Sequence, residues 1–291
     1  MDSGIDISII IVNYNCGGLL EQCVRSITRT LRGNNEVVIV DNNSTDTSLD
    51  FLHGDPSLSE TVSVIENRDN YGFAVANNIG VERARGRYLH FLNPDTVVDE
   101  SLNAAYARVL SSDSDRIYVT PLRDVAGRVV KSYHVLPLVT NYITALLQPA
   151  KARYWYLGAS VIMKRELFEQ LGRWPADYFM YGEDLDLFYR AALAGVAVEM
   201  LDAPVTHVSK GSTGKVWDEF NRRVMAGASY VKFSQKYRRM WDYYILTGIS
   251  LLRRLFKNPR EVGMDLRVFL AVSRNRLSSR GKGPVAVKPR I

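Results

Sequence analysis

The sequence predicts an α/β protein with a mostly parallel central sheet flanked by helices, followed by a helical, basic C-terminal extension. Two observations carry this prediction: short β-branched runs alternate with segments of helical spacing, and the connections between them are short. The chain has 291 residues, of which 46% are hydrophobic and 23% charged, so it can bury a large core. This composition excludes a disordered, collagen-like or disulfide-stapled protein.

The predicted elements alternate from the start of the chain. Residues 7–12 form a β-branched run typical of a strand buried on both faces, and residues 19–31 have apolar side chains at helical spacing. A short helix over 45–52 is expected to be capped by Ser44 or Thr45. The other predicted strands are 37–40, 62–65 and 87–92, and the other predicted helices are 74–84 and 101–110.

A weakly periodic, aromatic-rich stretch over 121–156 interrupts the alternation. Its rings either stack on sugar faces at an acceptor site or are buried for packing, and the spacing does not separate the two. A strand over 157–163, a helix over 165–171, a helix from Glu183 to residue 194 and a strand over 196–201 follow. We expect one domain over 1–237, with halves 1–120 and 121–237, and an extension over 238–291 whose end, 281–291, is disordered.

Cysteine usage and hydropathy indicate a cytoplasmic protein. Cys16 and Cys23 have neither C-x-x-C spacing nor a nearby histidine, which excludes a disulfide framework and a zinc knuckle. The N-terminus carries acids where a signal peptide needs basic residues. The longest later apolar stretch, 243–252, is about half of the ~20 residues that cross a bilayer.

The charge of the chain is unevenly distributed. Residues 232–291 contain 15 Lys and Arg against three acids, a net charge of +12, whereas the rest of the chain carries −6. Apolar residues from Trp241 to Phe256 keep a helical period, bracketed by basic residues, and residues 216–240 show a similar stripe. A basic amphipathic helix indicates binding to an anionic membrane surface, which would place the protein on the inner face of the cell membrane. The alternative is a helix docked on the core or in a homodimer.

Polar clusters follow three predicted strands at the point where each strand ends. In a parallel sheet those ends share one edge, so a binding site is expected there, although each cluster alone also fits a tight turn. The turn after the first strand lacks G-x-G-x-x-G, and residues 211–215 are too short for a P-loop, which argues against NAD and a P-loop NTPase. The three clusters are Asn13-Tyr14-Asn15, Asp41-Asn42-Asn43 and Asn93-Pro94-Asp95-Thr96.

Three ordered motifs resemble those of the inverting glycosyltransferases of the GT-A fold, family 2, and especially their bacterial rhamnosyltransferase-like branch. Residues 7–15, ISIIIVNYN, are similar to the family's first strand, and residues 40–46, VDNNSTD, to its second-strand motif. Residues 70–80, NYGFAVANNIG, resemble the branch's N-x-G-F-A-x-A-x-N-x-G helix start. The resemblance extends from about residue 7 to residue 236.

The resemblance implies a site for a nucleotide sugar. Asp41 would accept a hydrogen bond from the pyrimidine N3, although an Asx-turn after the strand also explains it. Gly72 would allow close backbone approach before a helix N-terminus suited to anionic groups, although it also fits an ordinary turn. The predicted nucleotide-binding residues are Asn13, Tyr14, Asn15, Asp41, Asn43, Asn70, Gly72, Phe73, Asn77, Asn93 and Lys210.

The resemblance also implies a metal site for Mn²⁺ or Mg²⁺. Residues 93–95 fall where the family has its D-x-D motif, but Asn93 replaces the first acid, which leaves Asp95 as the carboxylate ligand and predicts weaker metal affinity. His207 occupies the place of the family's second ligand, with a structural histidine as the alternative. Lys210 lies in a loop that either closes over the diphosphate or is simply flexible.

A second acidic cluster, Glu183, Asp184 and Asp186, resembles the family's E-D-x-D element. Such acids also complement a helix dipole, but the resemblance makes Asp184 the general base and Glu183 an acceptor-binding or supporting residue. A single base suits a direct displacement that inverts the anomeric carbon.

The implied function is metal-dependent, inverting transfer of L-rhamnose from dTDP-rhamnose to a lipid-linked glycan during synthesis of a bacterial surface polysaccharide such as O-antigen. A UDP- or GDP-sugar is the alternative donor. A binding protein that keeps the fold without catalysis is one rival. A nucleic-acid binder that uses the basic tail is the other, although we expect no nucleic-acid partner.

Overall fold

The structure, a computed structural model, describes residues 4–55, 58, 61–208 and 218–278. These residues divide into two compact units. The first contains the described residues up to His134, then Trp155–Phe179 and residues 183–208; the second contains Val135–Tyr154, Met180–Gly182 and residues 218–278. The predicted domain boundaries at residues 120 and 237 stay predictions.

The strands and helices are as follows, in chain order. The strands are β1 (Ile7–Asn13), β2 (Asn35–Asp41), β3 (Val62–Glu66), β4 (Tyr88–Leu92), β5 (Thr96–Val97), β6 (Ile117–Val119), β7 (Leu122–Arg123), β8 (Val129–Val130), β9 (Tyr133–Val135), β10 (Tyr154–Tyr156), β11 (Ser160–Lys164), β12 (Val198–Met200) and β13 (Val205–His207). The helices are α1 (Gly18–Thr30), α2 (Asp50–His53), α3 (Phe73–Arg83), α4 (Ser101–Ser112), α5 (Val139–Leu147), α6 (Arg165–Gln170), α7 (Glu183–Leu193), α8 (Glu219–Lys236), α9 (Met240–Lys257) and α10 (Pro259–Ser278).

A seven-stranded sheet with the order β12-β6-β11-β4-β1-β2-β3 forms the centre of the first unit. Its neighbours pair in parallel except at β11, which is antiparallel to both β4 and β6. Every residue of β1 is buried, as expected for a strand covered on both faces. The predicted mostly parallel α/β architecture is confirmed.

Helices cover both faces of this sheet because their apolar sides match its two surfaces. On one face α1 buries Leu20, Val24 and Ile27 in the same cluster as Ile9 of β1. On the other face Gly80 of α3 lies so close that an added Cβ would be 2.6 Å from Ile10. Because β1 pairs in parallel with both β2 and β4, the carboxyl ends of these three strands lie at one edge of the sheet.

The helix predicted over 45–52 is wrong in extent, since α2 contains only Asp50–His53, and its N-cap residue, Leu49, makes no side-chain capping hydrogen bond. The two expected capping residues, Ser44 and Thr45, instead form hydrogen bonds with the loop after β1. The Ser44 hydroxyl accepts the Asn15 amide at 3.0 Å, and the Thr45 amide donates to the Asn15 side chain at 2.8 Å. These tertiary hydrogen bonds override the local helix signal.

A small second sheet, β5-β13-β7-β8, was not predicted. Its strands are two or three residues long, too short for a period-2 pattern to identify them. Its importance lies in one register position, where His207 of β13 pairs with Thr96 of β5. This pairing brings His207 beside Asp95.

The second unit is built mainly from α5, α8, α9 and α10. Val224 and Val231 of α8, Tyr243 of α9 and Val272 of α10 form its core. The helix predicted over 216–240 ends at Lys236, where Arg238 adopts a φ of 57° before α9 begins. No described helix has both the length and the apolar character required to cross a bilayer.

Candidate active site

The end of β2 forms a hydrogen-bonded corner with the end of β1. Asp41 pairs with Asn13 in the parallel register, and its Oδ1 accepts the Asn13 side chain at 2.6 Å and the Ser44 hydroxyl at 2.7 Å. Its Oδ2 accepts the Ser44 amide at 2.8 Å. Asp41 is only 3% exposed. Asp41 therefore holds the turn after β2 through the amide three residues on, which is not the Asx-turn expected as the alternative, and a contact with a base stays a prediction.

The other residues predicted for this corner surround it. Asn15 and Asn43 have positive φ values of 52° and 62°, which asparagine tolerates in tight turns. Tyr14 is half-buried and Asn43 is exposed. These three residues thus form one polar rim around the corner.

Asn42 connects this corner to the start of α3. It is buried, and its side-chain amide donates to Asn70 at 3.2 Å and to the Gly72 carbonyl at 3.3 Å. Gly72 has a φ of +82°, and a Cβ there would lie 2.2 Å from the Phe179 carbonyl oxygen, so only glycine fits. The Phe73 amide donates to that same carbonyl at 3.1 Å, and the Asn77 side chain donates to the Phe73 carbonyl at 2.9 Å.

The polar groups after β4 lie against β13. The Asp95 Oδ1 is 3.2 Å from His207 Nε2, and the Asn93 side-chain nitrogen is 3.5 Å from the same ring nitrogen. The Val208 amide donates to the Asp95 carbonyl at 2.8 Å, which fixes the two segments together. Asp95 is buried and His207 is partly exposed.

The Asp95–His207 pair fits two ligands of a divalent cation. Two neighbouring ligands of an octahedral ion with bonds of about 2.1 Å are roughly 3.0 Å apart, close to the 3.2 Å that separates these atoms. The carboxylate oxygen suits Mg²⁺ and Mn²⁺, whereas an imidazole nitrogen is a ligand typical of transition-metal ions. Within the part of the chain that the structure describes, no group of three or more His, Cys, Asp or Glu side chains gathers at one point.

Asp184 lies in the first turn of α7 beside Gly158. The Gly158 amide approaches Asp184 Oδ2 at 3.4 Å, and a Cβ at Gly158 would lie 3.7 Å from both Asp184 and Phe73 and 3.5 Å from Trp174. Glycine at this position therefore leaves room between the proposed base and the start of α3. Asp184 itself is partly exposed.

The carboxyl group of Glu183 has a raised pKa. Its side chain is buried, and Oε2 has no hydrogen-bond partner among the described residues. Burial, with the neighbouring Asp184 charge, raises the pKa of Glu183 to about 8. This shift favours the protonated form of Glu183, while Asp186 in the same turn pairs with Arg190 at 2.7 Å and accepts the Tyr178 hydroxyl at 3.2 Å.

A continuous run of contacts joins these clusters. Asn42 connects the Asp41 corner to Gly72, and Phe73 reaches the space around Gly158. The next residue, Ala159, accepts the Asn93 amide at 2.9 Å and so leads to the Asp95–His207 pair. The structure thus places the predicted site residues along one edge of the first unit, apart from Lys210, which lies outside the described residues.

The sequence analysis placed Asn42 in a polar cluster but not among the predicted binding residues, and it missed Gly158. Asn42 stands inside the quoted second-strand motif, so its position between Asp41 and Asn43 was a usable signal. Gly158 carries no local signal, because its role depends on the packing of Trp174 and Asp184 around it.

The fold is that of the GT-A glycosyltransferases, as predicted. One similar structure is the mannosyltransferase PcManGT from Pyrobaculum calidifontis in complex with GDP-Man and Mn²⁺, with a TM-score of 0.57, 19% identity, and coverage of 92% of this chain and 75% of that chain. At this identity the likeness concerns the fold alone.

The sequence comparisons then show the family. The model of Glycosyl transferase family 2 matches residues 8–172, and the chain belongs to this family. It is 24% identical to the low-salt glycan biosynthesis hexosyltransferase Agl10 of Haloferax volcanii over 281 residues, 88% of this chain and 87% of that protein. It is 31% identical to the glycosyltransferase GlyG of Streptococcus pneumoniae over 110 residues, and the match covers 38% of this chain but only 36% of GlyG. The rhamnosyltransferase-like branch stays a prediction.

Proposed function

We propose that the protein is a metal-dependent, inverting glycosyltransferase of glycan biosynthesis, which transfers a sugar from a nucleotide donor to an acceptor hydroxyl. Two adjacent contacts carry the proposal. The Asn93 amide donates to the Ala159 carbonyl, and the amide of the preceding residue, Gly158, approaches Asp184. These contacts support a site in which the Asp95–His207 pair and the partly exposed Asp184 carboxylate act together. Phosphate neutralisation and proton removal can then act on the same donor and acceptor.

Asp184 is the general base in this mechanism. It accepts the proton of the acceptor hydroxyl, whose oxygen attacks the anomeric carbon from the face opposite the nucleotide. The raised pKa of Glu183 favours its uncharged form, which lowers the charge repulsion between Glu183 and the proposed base. When bound, a divalent cation held by Asp95 and His207 would stabilise charge on the diphosphate leaving group.

The donor that we propose is dTDP-rhamnose, and the acceptor a lipid-linked glycan at the cytoplasmic face of the membrane. The donor rests on the resemblance of residues 70–80 to the rhamnosyltransferase-like branch. Among the described residues the Asp41 Oδ2 accepts only the Ser44 amide, which leaves an acceptor position for a pyrimidine N3. The glycan acceptor is supported by Agl10, whose name places it in glycan biosynthesis.

A release assay tests the proposal. Purified protein is incubated with dTDP-rhamnose, UDP-sugars or GDP-sugars, with Mn²⁺ or with a chelator, and the free nucleoside diphosphate is measured. We expect metal-dependent release from dTDP-rhamnose above the other donors. Binding of a nucleotide sugar without any release, even with membrane extract as acceptor source, would instead favour the non-catalytic rival.

A further inference from the structure

Helix α9 exposes a wide apolar face. Trp241 is 82% exposed and Phe256 is 88% exposed, and the large side chains between them on this face are also open to solvent. At 100° per residue these positions form a single stripe along all 18 residues of the helix. The stripe contains Trp241, Tyr244, Ile245, Ile249, Leu252, Leu255 and Phe256.

Helix α5, in the same compact unit, adds a second exposed apolar group. Leu146 and Leu147 are 79% and 75% exposed, and Ile143 precedes them by one turn. The Val139 amide at the start of α5 donates to Asp242 of α9 at 2.8 Å, which ties the two helices together. Sequence reasoning did not connect these segments, because α5 lies in the weakly periodic stretch.

The opposite face of α9 is firmly anchored. Tyr243 is buried and lies edge-to-face against Tyr230 of α8, with ring centroids 5.2 Å apart. Arg254 binds Asp265 of α10 at 2.7 Å. The helix is therefore held by its polar and aromatic inner face, and its outward apolar face is a fixed feature of the unit.

Charge at the border of the stripe indicates the partner. Arg253 and Lys257 are exposed one turn apart beside the apolar face, and neither forms an ion pair with any described residue. The nearby acids Asp242 and Asp265 are bound to groups of the same unit. An apolar stripe edged by unpaired cations complements a surface with an apolar interior and an anionic boundary.

We propose that the outward faces of α5 and α9, called here the α5–α9 surface, insert into the interfacial layer of an anionic lipid bilayer. The apolar side chains enter the acyl-chain boundary, and Arg253 and Lys257 reach the phosphate headgroups. The inference goes beyond attraction of the basic tail, because apolar insertion persists when salt screens the charges. It does not depend on the proposed enzymatic activity.

Vesicle flotation of the full chain tests this inference. Vesicles of phosphatidylcholine with phosphatidylglycerol are compared with vesicles of phosphatidylcholine alone, at low salt and at about 0.5 M NaCl, where the Debye length falls to a few ångströms. We expect binding to the anionic vesicles, most of it retained at high salt. The doubles Trp241→Ser/Phe256→Ser and Leu146→Ser/Leu147→Ser should each lower the bound fraction about tenfold or more.

A matched control separates insertion from a general loss of apolar surface. Val125 and Val129 are 76% and 77% exposed in the other compact unit, and Val125→Ser/Val129→Ser should float like the wild type. Arg253→Gln/Lys257→Gln should weaken binding mainly at low salt. Circular dichroism confirms that each variant is folded.

Three results would overturn the inference. One is wild-type protein that stays with the bottom fraction at both salt concentrations. Another is binding that high salt abolishes and the serine doubles leave unchanged, as expected for charge alone. The third is a stable dimer in sedimentation that Trp241→Ser/Phe256→Ser dissociates while vesicle binding is absent, because the stripe would then belong to a protein contact.

Discussion

The end of β2 and the start of α7 each place a buried carboxyl group at the same edge of the first unit. The two carboxyl groups differ in their hydrogen bonds. Asp41 at the end of β2 receives hydrogen bonds on both oxygens from Asn13 and Ser44. Glu183 at the start of α7 is equally buried, yet its Oε2 has no partner among the described residues. Burial and the neighbouring Asp184 charge make Glu183 costly to ionise and raise its pKa, whereas Asp41 has hydrogen bonds on both oxygens.

This difference supports the proposal that the start of α7 carries the proton-transfer step. Hydrogen-bonded carboxylates such as Asp41 hold turns in place, and Asp186, bound to Arg190 and Tyr178, does the same within α7. Titratable groups whose pKa is strongly shifted by burial and a charged neighbour are typical of functional sites. The start of α7 therefore keeps a buried carboxyl oxygen without a hydrogen-bond partner, the Oε2 of Glu183, beside the proposed base.

The largest effect is expected for Asp184→Asn, which removes the proposed base and keeps its shape. Transfer should fall about 10²–10⁴-fold in kcat, the usual contribution of a general base. Nucleoside diphosphate release with acceptor present measures it, with the exposed Asp202→Asn as the control that should stay at wild-type activity. An Asp184→Asn enzyme within a factor of two of the wild type would move the chemistry away from α7.

Asp186→Ala should cause the largest loss of stability. Asp186 is completely buried, and its loss leaves Arg190 without its charge partner and Tyr178 without its acceptor. We expect the free energy of unfolding to fall by about 3 kcal/mol in urea titrations. Glu169→Ala, which breaks a more exposed ion pair with Arg173, should cost about 1 kcal/mol or less. Equal losses in the two variants would show that burial of Asp186 adds nothing.

Glu183→Gln should increase stability, in a pH-dependent way. The pKa of Glu183 rises from 4.5 to about 8 on folding, so between these values the folded state binds one more proton than the unfolded state. Stability conferred by that proton is complete below pH 4.5 and is lost as pH rises to about 8. The amide cannot ionise, so the variant should lack this decline and be more stable near neutral pH by on the order of 2 kcal/mol.

Urea unfolding of both proteins at several pH values across this window measures the effect. If the two proteins lose stability in parallel as pH rises, Glu183 is not the protonated group that the comparison requires.

Asp41→Asn should have the smallest effect of the four. The amide still accepts on one side but turns a donor toward the Ser44 amide, so one hydrogen bond is lost. We expect a loss of about 1 kcal/mol in the free energy of unfolding at pH 7. A loss above that for Asp186→Ala would reverse the ranking, and Asp202→Asn serves as the neutral surface control.

The sheet of the first unit was predictable because its strands are long and continuously apolar. Residues 7–12 and 37–40 fall inside β1 and β2, and the helices 19–31 and 74–84 agree with α1 and α3 within one residue at either end. Their period alone determines them. In contrast, α2 is shorter than predicted because Ser44 and Thr45 bond to the loop after β1.

Long-range pairing set the limit for the site. The residue types at the strand ends predicted which groups lie there. The closeness of His207 to Asp95, however, depends on the pairing of β13 with β5, and strands of two or three residues are too short to be predicted from a sequence pattern. Likewise, helical spacing from Trp241 to Phe256 predicted an amphipathic helix. It did not show that α9 faces inward with Tyr243 and leaves its apolar stripe in solvent.

Donor-binding calorimetry tests most directly whether donor binding depends on Asp95 and proton removal on Asp184. The wild type, Asp95→Asn and Asp184→Asn are titrated with dTDP-rhamnose, or with whichever nucleotide sugar the release assay selects, in the presence of Mn²⁺. We expect Asp95→Asn to lose about tenfold or more in donor affinity, while Asp184→Asn binds the donor like the wild type. Donor affinity that falls in Asp184→Asn and is unchanged in Asp95→Asn would contradict the account.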